Sequence, residues 1–600
     1  MCSINGFTFQ DKELIQKMNL ATKHRGPDAT NIFISDQISL GHNRLSIIDV
    51  REVANQPMTT DEGRYTLVFN GEIYNFQEIK KELSEYTFVT NGDTEVILKG
   101  YQKWGKEIFS KLNGMYALAI WDTHTKELVL ARDPQGVKPL YYSIQNNQLI
   151  FSSEIKAILE HPIERVLDKE AFALYMDVLY VPAPFTMFKH VSKLEAGTTL
   201  TFLDGIVTKE VISFKAAASG VANAKTLETL VDDAIQRQLI SDRPVGVFLS
   251  GGIDSSVVLD SVSRVHKHID TFSLSFDLGD LETERKFNID ARLAKKTAEI
   301  YGTNHHEISL STSKVLDVLG AVIVQLDEPI ANPTVVATYV LSQFAKEKVD
   351  VVLGGDGADE LFAGYERYRL SYISDWYQRI VPKYLRTKLD SFPKMQKLNL
   401  SGVYRYGLFH FQNTESSQRI IQSEGKYDSY TFFQTFFNRS DKSVTEQILL
   451  ADQYTWLIDE SLMRSDKMSM AHSLEQRVPL LDLELISFAH RVPVWKKVSF
   501  FKKKKILREA FQRRLPKYLF TQPKRGWFSP AAKWMRDETF LAKMKETLSP
   551  EYYSGTKDMF DWEEVHKMLV RHVEGTSYNR SILWAIFVFQ IWAKKYKVTL

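Results

Sequence analysis

Two short stretches of this 600-residue chain combine residue types that can do chemistry. The first is MCSINGF, which holds the only cysteine of the chain, Cys2. Removal of Met1, which the small Cys2 side chain permits, leaves the thiol beside a free α-amine. Their reference pKa values, about 8.5 for the thiol and about 7.7–8.0 for the amine, are close enough for the amine to serve as base at neutral pH without a histidine partner. A cysteine anywhere else would lack that amine. The second stretch is VGVFLSGGIDSSVVL. A short apolar run leads into Ser250, Gly251, Gly252, Ile253, Asp254, Ser255 and Ser256 and directly into a helical pattern. Backbone N–H groups and hydroxyls then converge at a helix N-terminus, where the helix dipole favours an anion. This is a phosphate cradle, and with no lysine before its last serine it is not a Walker loop. A glycine-rich turn closed by a Ser or Asp cap is the plainer alternative.

The elements that must position these residues change in character along the chain. Up to about Gly205, short stretches of alternating apolar and polar residues, such as RYTLVFNGEIY, GMYALAIWD and ELVLARD, are separated by Gly, Asn and Asp. They predict an antiparallel α+β domain over 2–205. A linker is expected within 206–225, centred on the small and polar run AAASGVANAK. Beyond it, short β-branched runs alternate with helical patterns, as in VDVVLGGDG followed by ADELFAGYERY, which predicts an α/β parallel sheet within 226–600. From about Tyr372 the chain reads as mainly helical.

Composition narrows the function classes. Hydrophobic residues make up 44% and charged residues 25%, with a net charge of +2, so nothing pulls the whole chain toward nucleic acid. The run Lys502 to Lys505 is expected to be a solvated or anion-facing helix start. The apolar run ILWAIFVFQIWA falls short of the roughly 20 residues that cross a bilayer. With one cysteine and no apolar leader, a cytoplasmic setting is expected, with no membrane partner.

SGGIDSS resembles the signature loop of the ATP pyrophosphatases, enzymes that cleave ATP between the α- and β-phosphates to adenylate a carboxylate or carbonyl. The resemblance implies ATP and Mg²⁺ as cofactors, with Asp254 of the loop and Asp359 of VVLGGDGADELFAGY as metal ligands. It also places ATP near Leu249, Leu274, Gly354 and Gly355. MCSINGF, HRGPDA, GHNRLSIID, FNGEIYN, NGDTEV and RDPQGVKPLYY, in that order, resemble the class II glutamine amidotransferase domain, which has the N-terminal-nucleophile (Ntn) sandwich fold. Together with SGGIDSS, ESLMRSDKMSMAHSLEQRVPLLD and QPKRGWFSP, they resemble the glutamine-hydrolysing asparagine synthetases over nearly the whole chain.

That resemblance implies a role for each matching residue. Cys2 would be the nucleophile, and Asn70 with the N–H of Gly71 would form the oxyanion hole. Arg44 would clamp the glutamine α-carboxylate, while Asp93 would hold its ammonium with Glu72 nearby. In the second half, Asp356 and a lysine of the 502–505 run, Lys504 by preference, would be catalytic. Two departures stand out. Pro134-Gln135 replaces a more usual Arg-Phe, which predicts an adjusted loop. Asp356 stands where a glutamate is usual, which leaves the acceptor open between L-aspartate and another carboxylate, such as a cell-wall precursor or secondary metabolite. A glutamine- or nucleotide-binding regulator without turnover is the rival of a different class. Glutamine, aspartate and ATP are the expected partners, ammonia is expected to pass internally between the domains, and a homodimer is left open.

Overall fold

The computed structural model describes residues 2–214, 221–412, 421, 428–521 and 528–600. Part of the expected linker, 215–220, and residues 522–527 of QPKRGWFSP lie outside this set.

The first part of the chain contains twelve strands: β1 (Ser3–Phe7), β2 (Ala29–Ser35), β3 (Ile38–Arg44), β4 (Met58–Thr59), β5 (Tyr65–Ile73), β6 (Gly114–Asp122), β7 (Leu128–Arg132), β8 (Tyr141–Gln145), β9 (Gln148–Ser152), β10 (Ser192–Lys193), β11 (Thr198–Leu203) and β12 (Ile206–Val211). They form two six-stranded sheets, ordered β10-β8-β9-β1-β3-β2 and β12-β11-β7-β6-β5-β4. All pairings within them are antiparallel. The period of two along each strand sorts side chains between the layers. Ala117, Ala119 and Trp121 of β6 join Ile4, Leu40 and Val68 between the sheets. Tyr116, Leu118 and Ile120 face the other way, against Val96, Ile97 and Tyr101 of the helix Thr94–Trp104.

β12 corrects one expectation. Ile206–Val211 pairs along its full length with β11, so the sheet runs six residues into the segment expected to be linker. This strand is mostly exposed and polar, VTKEV, and backbone pairing rather than burial defines it.

The second part is built on a parallel sheet ordered β15-β14-β13-β16-β17. Its strands are β13 (Val245–Phe248), β14 (Asp270–Asp277), β15 (Asn304–Ser311), β16 (Val351–Leu353) and β17 (Glu475–Arg477). Helices cover both faces. Phe272, Leu274, Phe276 and Val352 enter one core, and Val247, Val351 and Leu353 the other. The region beyond Tyr372 is largely helical, as expected, but it also supplies β17, a sheet edge too short and too charged to read as a strand. ILWAIFVFQIWA lies in a helix, Arg580–Tyr596, whose Trp584, Phe587, Phe589 and Trp592 are buried. Among the described residues no helix is long and apolar enough to cross a membrane.

The two parts meet through buried charges. Arg25 of the first reaches Glu154 at 3.0 Å and Asp466 of the second at 2.8 Å, and Lys138 Nζ lies 3.1 Å from the same Asp466. Lys156 pairs with Asp327 at 3.0 Å. Burial costs each of these ions its hydration, and mutual pairing offsets that cost.

Candidate active sites

Cys2 precedes the central strand β1 and is buried. Its backbone N–H donates to Asn70 Oδ1 at 3.0 Å, which fixes the orientation of the Asn70 amide. Asn70 Nδ2 is thereby turned away from Cys2 N, and it is buried with no hydrogen-bond partner among the described residues. An orphaned buried donor is costly, about 1–3 kcal/mol, which makes Asn70 Nδ2 a candidate to receive an oxygen of a ligand. The Gly71 N–H points off the edge of β5 that faces away from β6. Along β5 the N–H of Phe69 donates to Gln56 Oε1 at 2.6 Å and that of Ile73 to Asp93 Oδ2 at 2.8 Å, both on the edge away from β6. Gly71 lies between them on that edge, beyond the end of β4. A Cβ on Gly71 would come within 2.1 Å of the Met115 carbonyl oxygen, so only glycine lets the strands approach here.

Charged groups surround this thiol. Burial pushes the Cys2 pKa up, and the nearby Arg44 pulls it down while Glu72 pushes it up. Burial also raises Asp93 to about 6 and Glu72 well above the carboxylate range, the latter further raised by Glu475 and Asp93. Arg44 ends β3 with its guanidinium committed to the following loop. Nη1 donates to Arg51 O and Asn55 Oδ1, each at 2.8 Å, and Nη2 donates to Asp49 O and, at 3.4 Å, to Ile48 O. A carboxylate clamp at Arg44 therefore has to share these donors or use Nε.

In the loop after β7, Asp133 organises the Pro134-Gln135 departure by accepting from Gln135 N at 3.1 Å, Val137 N at 2.9 Å and Lys138 N at 3.0 Å. Pro134 and Gln135 border a cavity of about 460 Å³ with Leu457, Leu481 and His490 of the second part.

The second site gathers at the C-terminal ends of the parallel strands, where α/β sheets bind ligands. β13 runs through Leu249 and Ser250 into the helix Ile253–Ser263, capped by Gly252. Within the loop, Ser255 Oγ accepts from Ser250 N at 3.2 Å and lies 3.1 Å from Ser250 Oγ, while Ser256 Oγ donates to Gly252 O at 2.7 Å. Leu249 and Leu274 pack into the cores on opposite faces of the sheet, so a ligand at this edge meets them through backbone rather than through both side chains. A cleft of about 390 Å³ opens at the end of β14, lined by Ser275, Phe276, Asp277, Asn288 and Arg292.

After β16, Gly354, Gly355 and Asp356 lead to the short helix Ala358–Phe362 that carries Asp359. Asp356 Oδ2 accepts from Gln476 Nε2 at 2.8 Å, and burial raises its pKa. Lys504 joins Asp254 and Asp359. Its Nζ hydrogen-bonds Asp254 Oδ2 and lies 2.7 Å from Asp359 Oδ1. Of Lys502 to Lys505 it alone is buried, and burial lowers its pKa against the opposing pull of Asp254. Two carboxylates converging on one cation are a donor set for a hard metal ion that takes its remaining ligands from phosphate and water. Among the described residues no cluster of three or more His, Cys, Asp and Glu side chains offers a complete metal cage.

Several further residues contribute here that lie within the motifs VVLGGDGADELFAGY and ESLMRSDKMSMAHSLEQRVPLLD, although the resemblance implied no role for them. A Cβ on Gly364 would fall 1.7 Å from Asp359 Oδ1 and 2.2 Å from Lys504 Cε, so this glycine lets the lysine reach the aspartate. Glu360, raised to about 7 by burial, accepts from Tyr365 OH at 2.8 Å. Gln476, Glu475 and Arg477 come from β17, far away in sequence.

A two-sheet sandwich with a buried near-terminal cysteine, joined to a parallel sheet with an SGGIDSS loop, is the arrangement of a glutamine amidotransferase domain followed by a synthetase domain. The chain belongs to the asparagine synthase family: residues 226–594 match the asparagine synthase model, and residues 1–212 match the glutamine amidotransferase domain model. It is 32% identical to asparagine synthetase [glutamine-hydrolyzing] 1 of Bacillus subtilis over 98% of this chain and 94% of that protein. A putative asparagine synthetase [glutamine-hydrolyzing] of Mycobacterium bovis is also 32% identical, over 95% of this chain and 92% of its own length. Amidase chry2 of Gibberella zeae is 26% identical over 88% of this chain and 87% of its own length.

Proposed function

We propose that the chain amidates L-aspartate to L-asparagine, with glutamine as nitrogen donor and ATP as the source of activation. At the first site, the α-amine freed by removal of Met1 takes the proton of the Cys2 thiol, and Sγ attacks the glutamine amide carbon. Asn70 Nδ2 and the Gly71 N–H receive the developing oxyanion. The protonated amine gives its proton to the leaving nitrogen as the intermediate collapses, so ammonia departs and a thioester remains, and water then releases glutamate and regenerates the thiol. Asp93 and Glu72 face the substrate ammonium, and Arg44 its carboxylate.

At the second site, the acceptor carboxylate attacks the α-phosphorus of ATP. Pyrophosphate leaves toward the N–H groups and hydroxyls of the 250–256 loop, and a β-aspartyl-AMP remains. Ammonia attacks its carbonyl and AMP departs. Asp254 and Asp359 would hold Mg²⁺, which when bound neutralises the triphosphate. Lys504 keeps its ammonium beside the same phosphates, and Asp356 borders the acceptor. Ammonia in water would be protonated and lost as a nucleophile, so it travels inside the protein.

The observation that carries this reading is the meeting of Asp254, Asp359 and Lys504, drawn from three separate segments, in a chain whose other half sets an orphaned Asn70 donor beside Cys2. The test is incubation with glutamine, aspartate and ATP-Mg²⁺, with mass-spectrometric identification of asparagine, AMP and pyrophosphate. A second reading has the same chemistry on another carboxylate. It draws on Asp356, whose side chain is one methylene shorter than glutamate, and on the likeness to an amidase. Pyrophosphate release with other carboxylates but not with aspartate would favour it.

A further inference from the structure

β17 touches both sites. Side chains on a strand alternate between faces. Gln476 projects to one face, where its Nε2 donates to Asp356 Oδ2 at 2.8 Å. Glu475 and Arg477 project to the other and are joined by Arg477 Nε donating to Glu475 Oε1 at 2.6 Å. On that face lies the glutamine pocket: Arg477 Nη2 is 3.9 Å from Glu72 Oε2, two residues beyond Asn70. Both atoms are buried and have no hydrogen-bond partner among the described residues. Arg477 is otherwise anchored, with Nη1 donating to Gln238 O and Ile240 O, each at 2.7 Å. Its own carbonyl accepts from Gly354 N at 2.9 Å, in the loop that carries Asp356.

We propose that β17 couples the two sites, with Gln476 sensing the Gly354–Asp356 loop and Arg477 acting as a positioning residue for Glu72 in the glutamine pocket. This rests on the two-site reading above. The strand is three residues long, and its backbone is pinned to β16 in register, Leu353 against Arg477. Any displacement of the Gly354–Asp356 loop therefore acts on Gln476 and on the Arg477 carbonyl together. It reaches Glu72 through a contact that at 3.9 Å is longer than a hydrogen bond, with room to tighten. Arg477 belongs to the second part of the chain, so the glutamine site is completed by the synthetase half. Coupling of this kind is reciprocal and typically amounts to about 5–150-fold in affinity.

The test measures glutamate and pyrophosphate in the same mixtures of full-length protein, with glutamine alone or with added ATP, Mg²⁺ and aspartate. The added ligands are expected to shift the KM for glutamine by about fivefold or more. Gln476→Leu should keep glutaminase activity without ATP within about twofold of wild type yet lose that shift. Arg477→Lys should raise the KM for glutamine far more than it changes kcat, and combining it with Glu72→Gln should add little, as expected of residues acting through one contact. A wild type that forms pyrophosphate but shows no shift in KM overturns the proposal, as does a Gln476→Leu variant that retains the shift. Strict additivity of Arg477→Lys and Glu72→Gln overturns the role of Arg477. A wild type that forms no pyrophosphate with any carboxylate refutes the two-site reading instead.

Discussion

Replacing Asn70 by alanine separates catalysis from stability. In the structure the side chain does two things: its Oδ1 accepts from Cys2 N at 3.0 Å, and its Nδ2 is a buried donor with no partner. Loss of the first leaves the Cys2 N–H unsatisfied, at about 1–3 kcal/mol, and loss of the second removes an orphan of about the same cost. The two oppose each other, so the stability change should stay within about 2 kcal/mol, a few degrees in Tm for a chain of this size. Catalysis has no such offset. Removing one oxyanion donor costs about 10²–10³ in kcat, or about 2.7–4 kcal/mol. The assay is glutamate release from glutamine beside asparagine formation from ammonia, with Tm measured on the same preparations. Glutaminase kcat should drop by at least about 100-fold while ammonia-dependent synthesis is retained. A variant with glutaminase kcat within tenfold of wild type would show that Asn70 Nδ2 is not the oxyanion donor. A large fall in Tm with loss of both activities would show that the amide is structural.

Cys2→Ala should abolish glutamine-dependent synthesis and spare the ammonia-dependent reaction, and residues left in front of Cys2 should do the same by turning the base into an amide; glutamate release by a tagged protein, verified intact by mass spectrometry, would refute the amine's role. Asp254→Asn and Asp359→Asn should each stop pyrophosphate formation with either nitrogen source while glutamine hydrolysis persists, and near-native pyrophosphate release in both would remove the metal assignment. Because burial holds free Asp93 at about 6, it must lose its proton to accept the substrate ammonium, so kcat/KM for glutamine should fall as pH drops through about 6. Asp93→Asn should lower kcat/KM at neutral pH and flatten that limb of the profile, and an unchanged limb would assign it to another group.

How far the sequence alone reveals these sites depends on how locally each is encoded. Cys2, FNGE, SGGIDSS and GGDGADE are contiguous strings whose backbone course is set by one turn, so their residues could be named before the fold was seen. Lys504 was one of four adjacent lysines, and only burial of a single side chain singles it out. The partners of those strings are another matter. Gln476 and Arg477 reach Asp356 and Glu72 across 120 and 405 positions, through a strand of three residues whose charges conceal its place in a sheet. Gly364 looks like an ordinary glycine until the Lys504 stem is seen beside it. The strands of the sandwich announced themselves by alternation because each divides two cores. β12, with almost no buried face, did not.

The ion pairs between the two halves also bear on how the protein comes into being. A ribosome releases residues in order, at about 5–20 per second, and the sandwich is complete long before Asp466 emerges. Until then Lys138 and Arg25 lack a carboxylate that the finished molecule places 3.1 and 2.8 Å away, and Glu72 lacks Arg477. The nascent first half thus leaves open to water two cations that the finished molecule buries, Arg25 among them beside the Cys2 carbonyl. The contact of Arg477 with Glu72 forms only when the second half docks.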